Sequence, residues 1–468
     1  MPDSSFFLGR IHIDPSNSFF YREIGLDGMI ELSRISSLPL QQLSRTTIGT
    51  PITSLEMKIA FEQGYLIPYR KNNPEDPKTA LDLLKIDRGG LTFRPEAGIY
   101  ENVAELDFFS MYPSIIANYN LSYETINCKH KKCIHRLPTA GYRICTQKEG
   151  ILPKTLKFLI ERRKQYKKLK KKEGDKYDRR QIGIKWLLVV SFGYLGYKNA
   201  VFGRIESHET TTAIGRDLLL FVKDIAEKED FSLLHGLTDC IWIYKKGATE
   251  EAYNKLKDNI NKKLSRKYKG VLEETVPFEV KLEGVYDWIV FVPSKEDGVG
   301  VPNRFYGKFK DGRIKVRGIE LRRSDTPRFI KEFQEDFLNH LSKAKNKKEL
   351  LKKLSDIDTF FEKYAVMLRE GKFCVQDLIV RKRLSKLVEE YRVKNDISET
   401  AGTLIKEGIT VNPGEKVNII YIKDSFIKAV PYEIYIKSPK PVDIKRYEKL
   451  LKESCFVFEF IKDRFYYD

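Results

Sequence analysis

Leu106-Asp107-Phe108-Phe109-Ser110-Met111-Tyr112-Pro113-Ser114-Ile115-Ile116 is the stretch that decides the fold. It begins as a strand and ends as a helix. Val103-Ala104-Glu105-Leu106 reads as a short buried strand, and Asp107 stands where that strand runs out. Pro113-Ser114-Ile115-Ile116 opens a helix, because proline's missing N–H would be unpaired in a first turn anyway. An aspartate at a strand end is ordinarily a turn or cap residue. Here a second one recurs: Leu237-Thr238-Asp239-Cys240 precedes the strand-like Ile241-Trp242-Ile243-Tyr244. Two strand-borne carboxylates in one sheet are a natural seat for two Mg2+ ions, with Mn2+ as a substitute, since hard cations take oxygen ligands.

Downstream, the apolar spacing of Leu156, Leu159, Ile160, Tyr166 and Leu169 predicts a helix from about Pro153 to a turn near Gly174-Asp175. A second helix runs from about Tyr177 through Ile182, Ile184, Leu187 and Leu188, which makes an antiparallel hairpin. Between Lys154 and Lys172 there are ten basic residues and one acid, Glu161. A solvated helix face is the plain account of such a run. The sharper account is that Arg163 and Lys167, four apart, converge with Lys185 of the returning helix on one polyphosphate. Gly193-Tyr194-Leu195-Gly196-Tyr197 closes the hairpin. Its glycines permit close approach, and its tyrosines either stack on a base pair or pack in the core.

The other segments read as follows. Gly9 to Asp14 reads as a strand, Gly28 to Ser44 and Ser54 to Gly64 as helices, Asn72 to Lys78 as a polar loop, and Gly89-Gly90 as a hinge or close backbone approach. A long helix is expected over 204–228, with His208 structural. Residues 231–323 are strand-rich, with Val280 to Val292, Phe305 to Glu320 and a hairpin turn at Asp311-Gly312. Arg313, Lys315 and Arg317 then share one face, which suits a phosphate backbone. Helices are expected over 327–343, 346–370 and 376–390, then a strand from Val417 to Ile422. Asn127 to Gly150 is an irregular excursion bearing Cys128, Cys133 and Cys145, with His130 and His135 between them. A structural Zn2+, a disulfide and free thiols all stay open there. Cys240 and Cys374 read as buried structural residues.

A chain of 468 residues predicts two to four domains. Lys and Arg number 84 against 65 Asp and Glu, and the resulting +19 favours a polyanionic partner. No apolar run reaches the length of a membrane span and no signal peptide opens the sequence, so a cytoplasmic protein with no membrane partner is expected.

Taken together, these parts resemble the polymerase half of a family B DNA polymerase over about residues 28–468, most like archaeal members and their divergent second type. The resemblance implies an α+β, right-hand fold. Its antiparallel-sheet palm would comprise 95–150 and 201–323, its helical-hairpin fingers 151–200 and its mainly helical thumb 324–468, after an N-terminal and exonuclease remnant in 1–94. It implies that Asp107 and Asp239 hold the metals with the Phe108 carbonyl, and that Tyr112 excludes a ribose 2′-OH. Arg163, Lys167 and Lys185 would bind the nucleotide's phosphates, with Arg162 as the match in a shifted register. Gly193, Tyr194, Arg304, Tyr306 and Arg317 would contact DNA. The implied function is dNTP addition to a primer on primer-template DNA. A separate subunit supplying the N-terminal region, and a sliding clamp, are open as further partners.

The sequence also departs from that pattern. Leu237 stands where an acid is usual, Cys240 replaces a serine, Val189-Val190 and Phe192 replace an Asn-Ser pair and a tyrosine, and Asp87 replaces a tyrosine. Asp27 is a lone relic of a proofreading acid, and one carboxylate cannot position two metals, so no 3′–5′ proofreading is expected. The rival expectations are a catalytically decayed DNA-binding subunit and a split polymerase that needs a partner chain.

Overall fold

The computed structural model describes residues 9–15, 18–69, 71, 75, 77–86, 88–137, 141–393, 395–424 and 428–465. Most of the Asn72 to Lys78 loop and Asp87 lie outside these. The chain divides into two units: residues 1–93 with 106–283, and residues 94–105 with 284–468.

In the first unit the helices are α1 (Phe19–Ser36), α2 (Leu40–Arg45), α3 (Gly49–Glu62), α4 (Ala80–Ile86), α5 (Met111–Asn118), α6 (Ile151–Glu173), α7 (Asp175–Leu195), α8 (Ile205–Glu227) and α9 (Glu250–Lys267). Its strands run in the order β1 (Thr92–Phe93), β3 (Ser232–Leu237), β4 (Cys240–Tyr244) and the end of β2 (Gly98–Phe108). β1–β3 and β3–β4 are antiparallel pairs. Helices α6 and α7 form the expected hairpin, turned at Gly174, whose φ of 75° suits a residue without a side chain. Gly183 lets α7 close on α1: a Cβ there would lie 3.2 Å from Ile24 and 3.3 Å from Leu32. The hairpin is thereby backed by the buried face of α1, Ile24, Met29, Leu32 and Ile35.

In the second unit the strand order is β2, β5 (Val280–Pro293), β6 (Gly300–Phe309) and β7 (Ile314–Arg317), with both β5–β6 and β6–β7 antiparallel. Strands β2 and β5 each run from one unit into the other along the chain. A three-stranded sheet orders β10 (Ala429–Pro431), β9 (Lys416–Tyr421) and β8 (Val380–Arg383). Helices α10 (Arg328–Leu341), α11 (Lys347–Leu354), α12 (Ile357–Arg369), α13 (Asp396–Lys406), α14 (Tyr432–Tyr435) and α15 (Ile444–Phe465) complete it. Along α10, Phe329, Phe333, Phe337 and Leu341 recur at helical spacing and are all buried, each phenyl contributing roughly 2–3 kcal/mol on burial. Phe337 meets Phe458 of α15 edge-on at 4.8 Å.

Several local expectations are corrected. Residues Gly9 to Asp14 form no strand; they are turn and irregular backbone, with the His12 amide donating to Gln41 Oε1 at 3.1 Å. The single helix expected over 28–44 is two, because Pro39 pushes Leu38 out of helical geometry and Ser37 adopts a left-handed φ of 59°. The strand-rich reading of 231–323 missed α9, although Tyr253, Leu256, Ile260 and Leu264 carry the helical period and Thr249 caps it. The helix expected over 376–390 is instead β8 between short 3-10 turns, since pairing with β9 overrides the local pattern.

Candidate active site

The β3–β4 hairpin presents one acid and the end of β2 the other. The Phe108 amide donates to the Asp239 carbonyl at 2.9 Å and so fixes the two strand ends together. Carboxylate oxygens of Asp107 and Asp239 and the Cys240 sulfur all lie within 4.8 Å of one another. The Cys240 thiol donates to Asp107 Oδ1 at 2.9 Å and sits 3.7 Å from Asp239 Oδ1. Cys240 is thus half-buried beside the acids, not a core cysteine, and Cys374 is exposed. The turn between the strands is strained: Thr238 is β-branched yet has a φ of 55°, a conformation that costs on the order of 1–3 kcal/mol. Its amide donates to the Leu91 carbonyl at 2.9 Å. Gly90 closes over this turn, for a Cβ there would lie 2.9 Å from Thr238 Oγ1 and 3.2 Å from the Tyr112 hydroxyl. Of the two readings of Gly89-Gly90, Gly90 fulfils the close approach. Leu237 ends β3, half-buried and opposite Cys240.

After Asp107 the chain turns sharply at Ser110, with a φ of 53°, into α5. Arg163 Nη1 donates to Ser110 Oγ at 3.0 Å, and Arg163 Nε to Gln181 Oε1 at 3.4 Å. Arg162 faces the other way, pairing with the buried Glu31 carboxylate at 2.5 Å. The cation on the acid side of α6 is therefore Arg163. Burial draws its guanidinium down to about 10, against the pull of Asp107. Lys167 falls to about 8, through burial first and then repulsion from Arg163, Lys281 and Lys185, with Asp107 opposing. The Phe109 ring sits within this group, 4.5 Å from Lys281 Nζ, 4.8 Å from Lys167 Nζ and 5.2 Å from Arg163 Cζ. Lys185 lies exposed on α7, with Val189 exposed one turn further on.

Lys281 was not foreseen. Its only sequence signal is a position next to Val280 at the start of β5, and the Phe109 amide bond to the Glu279 carbonyl, 2.8 Å, brings it to the site. Tyr112 packs against Phe192 at 4.4 Å and over Gly215, where a Cβ would lie 2.8 Å from its Cε1. Burial, then Asp239, raises its hydroxyl to about 12, with Arg216 opposing. Phe192 stacks on His208 at 4.3 Å, so His208 is structural as expected.

A family model described as DNA polymerase family B matches residues 39–459. The chain belongs to that family. DNA polymerase 2 of Saccharolobus solfataricus is 32% identical over 344 residues, covering 73% of this chain and 50% of that protein. The DNA polymerase of Archaeoglobus fulgidus is 28% identical over 93% of this chain and 53% of its own. The solved family B DNA polymerase of the hyperthermophilic archaeon Pyrobaculum calidifontis superposes with a TM-score of 0.62 at 26% identity, over 92% of this chain and 53% of that one. The chain spans about half the length of the curated relatives it matches. The expected resemblance to archaeal family B polymerases, and the mixed helix and antiparallel-sheet fold, both stand. No described helix is long and apolar enough to cross a membrane.

The residues of this family B chain expected to touch DNA are differently situated. Gly193 is exposed, but the Tyr194 ring packs over Gly49, where any Cβ would collide with it. In the second unit Tyr306 is fully buried between Trp288 and Phe458, its hydroxyl without a partner among the described residues. Its ring is core, so it offers no surface to a duplex as the protein stands. Arg304 pairs with Glu320 at 3.4 Å. Arg313 precedes β7, so only Lys315 and Arg317 of the expected face lie on that strand; Arg313 pairs with Asp311 at 2.7 Å and Lys315 with the buried Glu105. Arg317 is exposed. The three cysteines of the excursion, Cys128, Cys133 and Cys145, form no disulfide and cluster with His130, while His135 is exposed outside the group.

Proposed function

We propose that the chain carries out template-directed nucleotidyl transfer, adding dNTPs to a primer 3′-OH. One observation carries this reading: two adjoining strand-end carboxylates, Asp107 and Asp239, stand beside three cations, the buried Arg163, the half-buried Lys167 and the exposed Lys281. Carboxylate oxygens and a backbone carbonyl suit a hard divalent cation, so Asp107, Asp239 and the Phe108 carbonyl would hold Mg2+, or Mn2+ in its place. Bound there, two such ions supply activation of the primer hydroxyl and neutralisation of the triphosphate. The cations bind the triphosphate and stabilise charge on the departing pyrophosphate, with Lys185 completing the set from α7. Arg163 is held ready by Ser110 and Gln181, so little reorganisation accompanies binding. Tyr112, fixed by Phe192 and Gly215, limits space at the sugar and selects against a ribose 2′-OH.

Primer extension tests this. Asp107→Asn and Asp239→Asn are expected to lower the rate by more than about a hundredfold, the scale of losing a charge-stabilising group. Equal extension by wild type and Asp107→Asn would reject the reading. Leu237, in place of an acid, and the exposed Val189 favour a second one, a polymerase-shaped DNA-binding subunit without synthesis. DNA binding with no extension by the wild type in either Mg2+ or Mn2+ would select it. If Leu237 limits a working enzyme, Leu237→Asp raises the rate.

A further inference from the structure

We propose that Cys128, His130, Cys133 and Cys145 bind one structural Zn2+ ion through three thiolates and an imidazole. The four donor atoms lie within 4.8 Å of one another. Tetrahedral zinc has Zn–S bonds of about 2.3 Å and Zn–N bonds of about 2.05 Å, which put neighbouring sulfurs about 3.8 Å apart and sulfur about 3.6 Å from nitrogen. Cys133 and Cys145 sulfurs are 3.9 Å apart, and Cys145 Sγ is 3.4 Å from His130 Nδ1. Both distances match edges of a zinc tetrahedron. A disulfide would need the sulfurs at about 2.05 Å.

The surroundings agree. The Thr146 amide and hydroxyl both donate to Cys133 Sγ, at 3.4 and 3.7 Å, as the outer hydrogen bonds of a metal thiolate do. Between Leu121 and Gly150 the described residues hold no helix or strand, only the isolated bridges Ile126–Ile144 and Arg136–Arg143. Three buried cysteines make a small cluster of their own inside this segment. Besides them the segment buries Ile126, Leu137 and Ile144, a limited apolar burial that a metal supplements in small irregular modules. The segment ends in a strap to the fingers. Asn120 donates to the carbonyls of Cys145 and Lys148, each at 2.8 Å, and accepts from the Gly150 amide at 2.8 Å, one residue before α6 begins. The ion would therefore anchor the root of the helix that carries Arg163 and Lys167.

The inference is independent of the catalytic reading, and its readout is metal content. The full chain, produced with zinc and washed of loose metal, is expected to contain one zinc per chain by elemental analysis. Cys133→Ser and Cys145→Ser should lose at least about tenfold of that zinc, while the exposed-thiol control Cys374→Ser keeps it. If the cysteine variants fail to fold, wild-type chain produced with Co2+ decides: the charge-transfer band of cobalt–thiolate bonds supports the site. Wild-type chain without zinc, a Cys133–Cys145 disulfide in peptide mapping, zinc unchanged in Cys133→Ser, or a cobalt-grown chain lacking that band would each overturn it.

Discussion

Lys167 carries the sharpest electrostatic conflict in the site. Half-buried and facing three other cations, it loses its proton near pH 8 instead of its ordinary 10.5. Only the protonated form attracts a triphosphate. The KM for dNTP should therefore rise as pH climbs from 7 to 9, and Lys167→Arg should flatten the profile, since a guanidinium stays charged. Lys281→Ala removes one repulsion and should move the midpoint upward. Conformational stability runs the other way. Its folded value lies below its unfolded one, so between about pH 8 and 10.5 the unfolded chain binds more protons and this group's contribution to stability rises with pH. Opposite slopes in kinetics and in denaturant titration identify Lys167 as the group responsible. Asp107, Asp239, Arg163 and Lys167 were legible because strand ends and helical spacing mark them. Lys281 and the Cys240–Asp107 bond were not, because pairings across 133 residues or more create them.

At the scale of elements, the pocket around Tyr112 is made where α5, α7 and α8 meet. Gly215 of α8 is its floor, with an added Cβ 2.8 Å from Tyr112 and 3.2 Å from Met111. Gly215→Ala must displace the ring, because helix backbone on one side and Phe192 on the other leave it little room. Such overpacking costs about 1–3 kcal/mol. The expected outcome is a Tm a few degrees lower and a several-fold rise in rNTP incorporation relative to dNTP, measured with matched single-nucleotide extensions. Unchanged sugar discrimination would remove Tyr112 from that role. Elements with a strong local period, α6, α7, α8 and α10, were readable in advance. The break at Leu38-Pro39 is written in the sequence, since a residue before proline disfavours helical geometry. Strand β8 was not readable, because its only warrant is β9, more than 30 residues away.

For the whole molecule, the count of 84 Lys and Arg overstates the cations that DNA would meet. Part of them already face acids, as in the Arg304–Glu320 and Lys315–Glu105 pairs. The dissociation constant for primer-template DNA should still climb steeply with salt. Roughly five to seven phosphate contacts give a log–log slope of about −4.5 to −6 in binding constant. Arg317→Ala should reduce that slope by about 1, and Arg313→Ala, whose charge faces Asp311, by less. Filter binding across a salt series measures both.

The chain's passage between its units along β2, and again along β5, bears on how the protein is born. Asp107 leaves the ribosome long before the β3–β4 turn that bears Asp239, and Lys281 comes later still. Nothing synthesised up to the end of the α6–α7 hairpin holds both acids, and in nascent chains of that length β2 still lacks both of its sheet neighbours, β4 and β5. Contacts of such sequence separation form slowly. An exposed edge in the meantime invites association with other chains. Yield on expression should thus depend on elongation and chaperone supply more than on the stability of the finished protein.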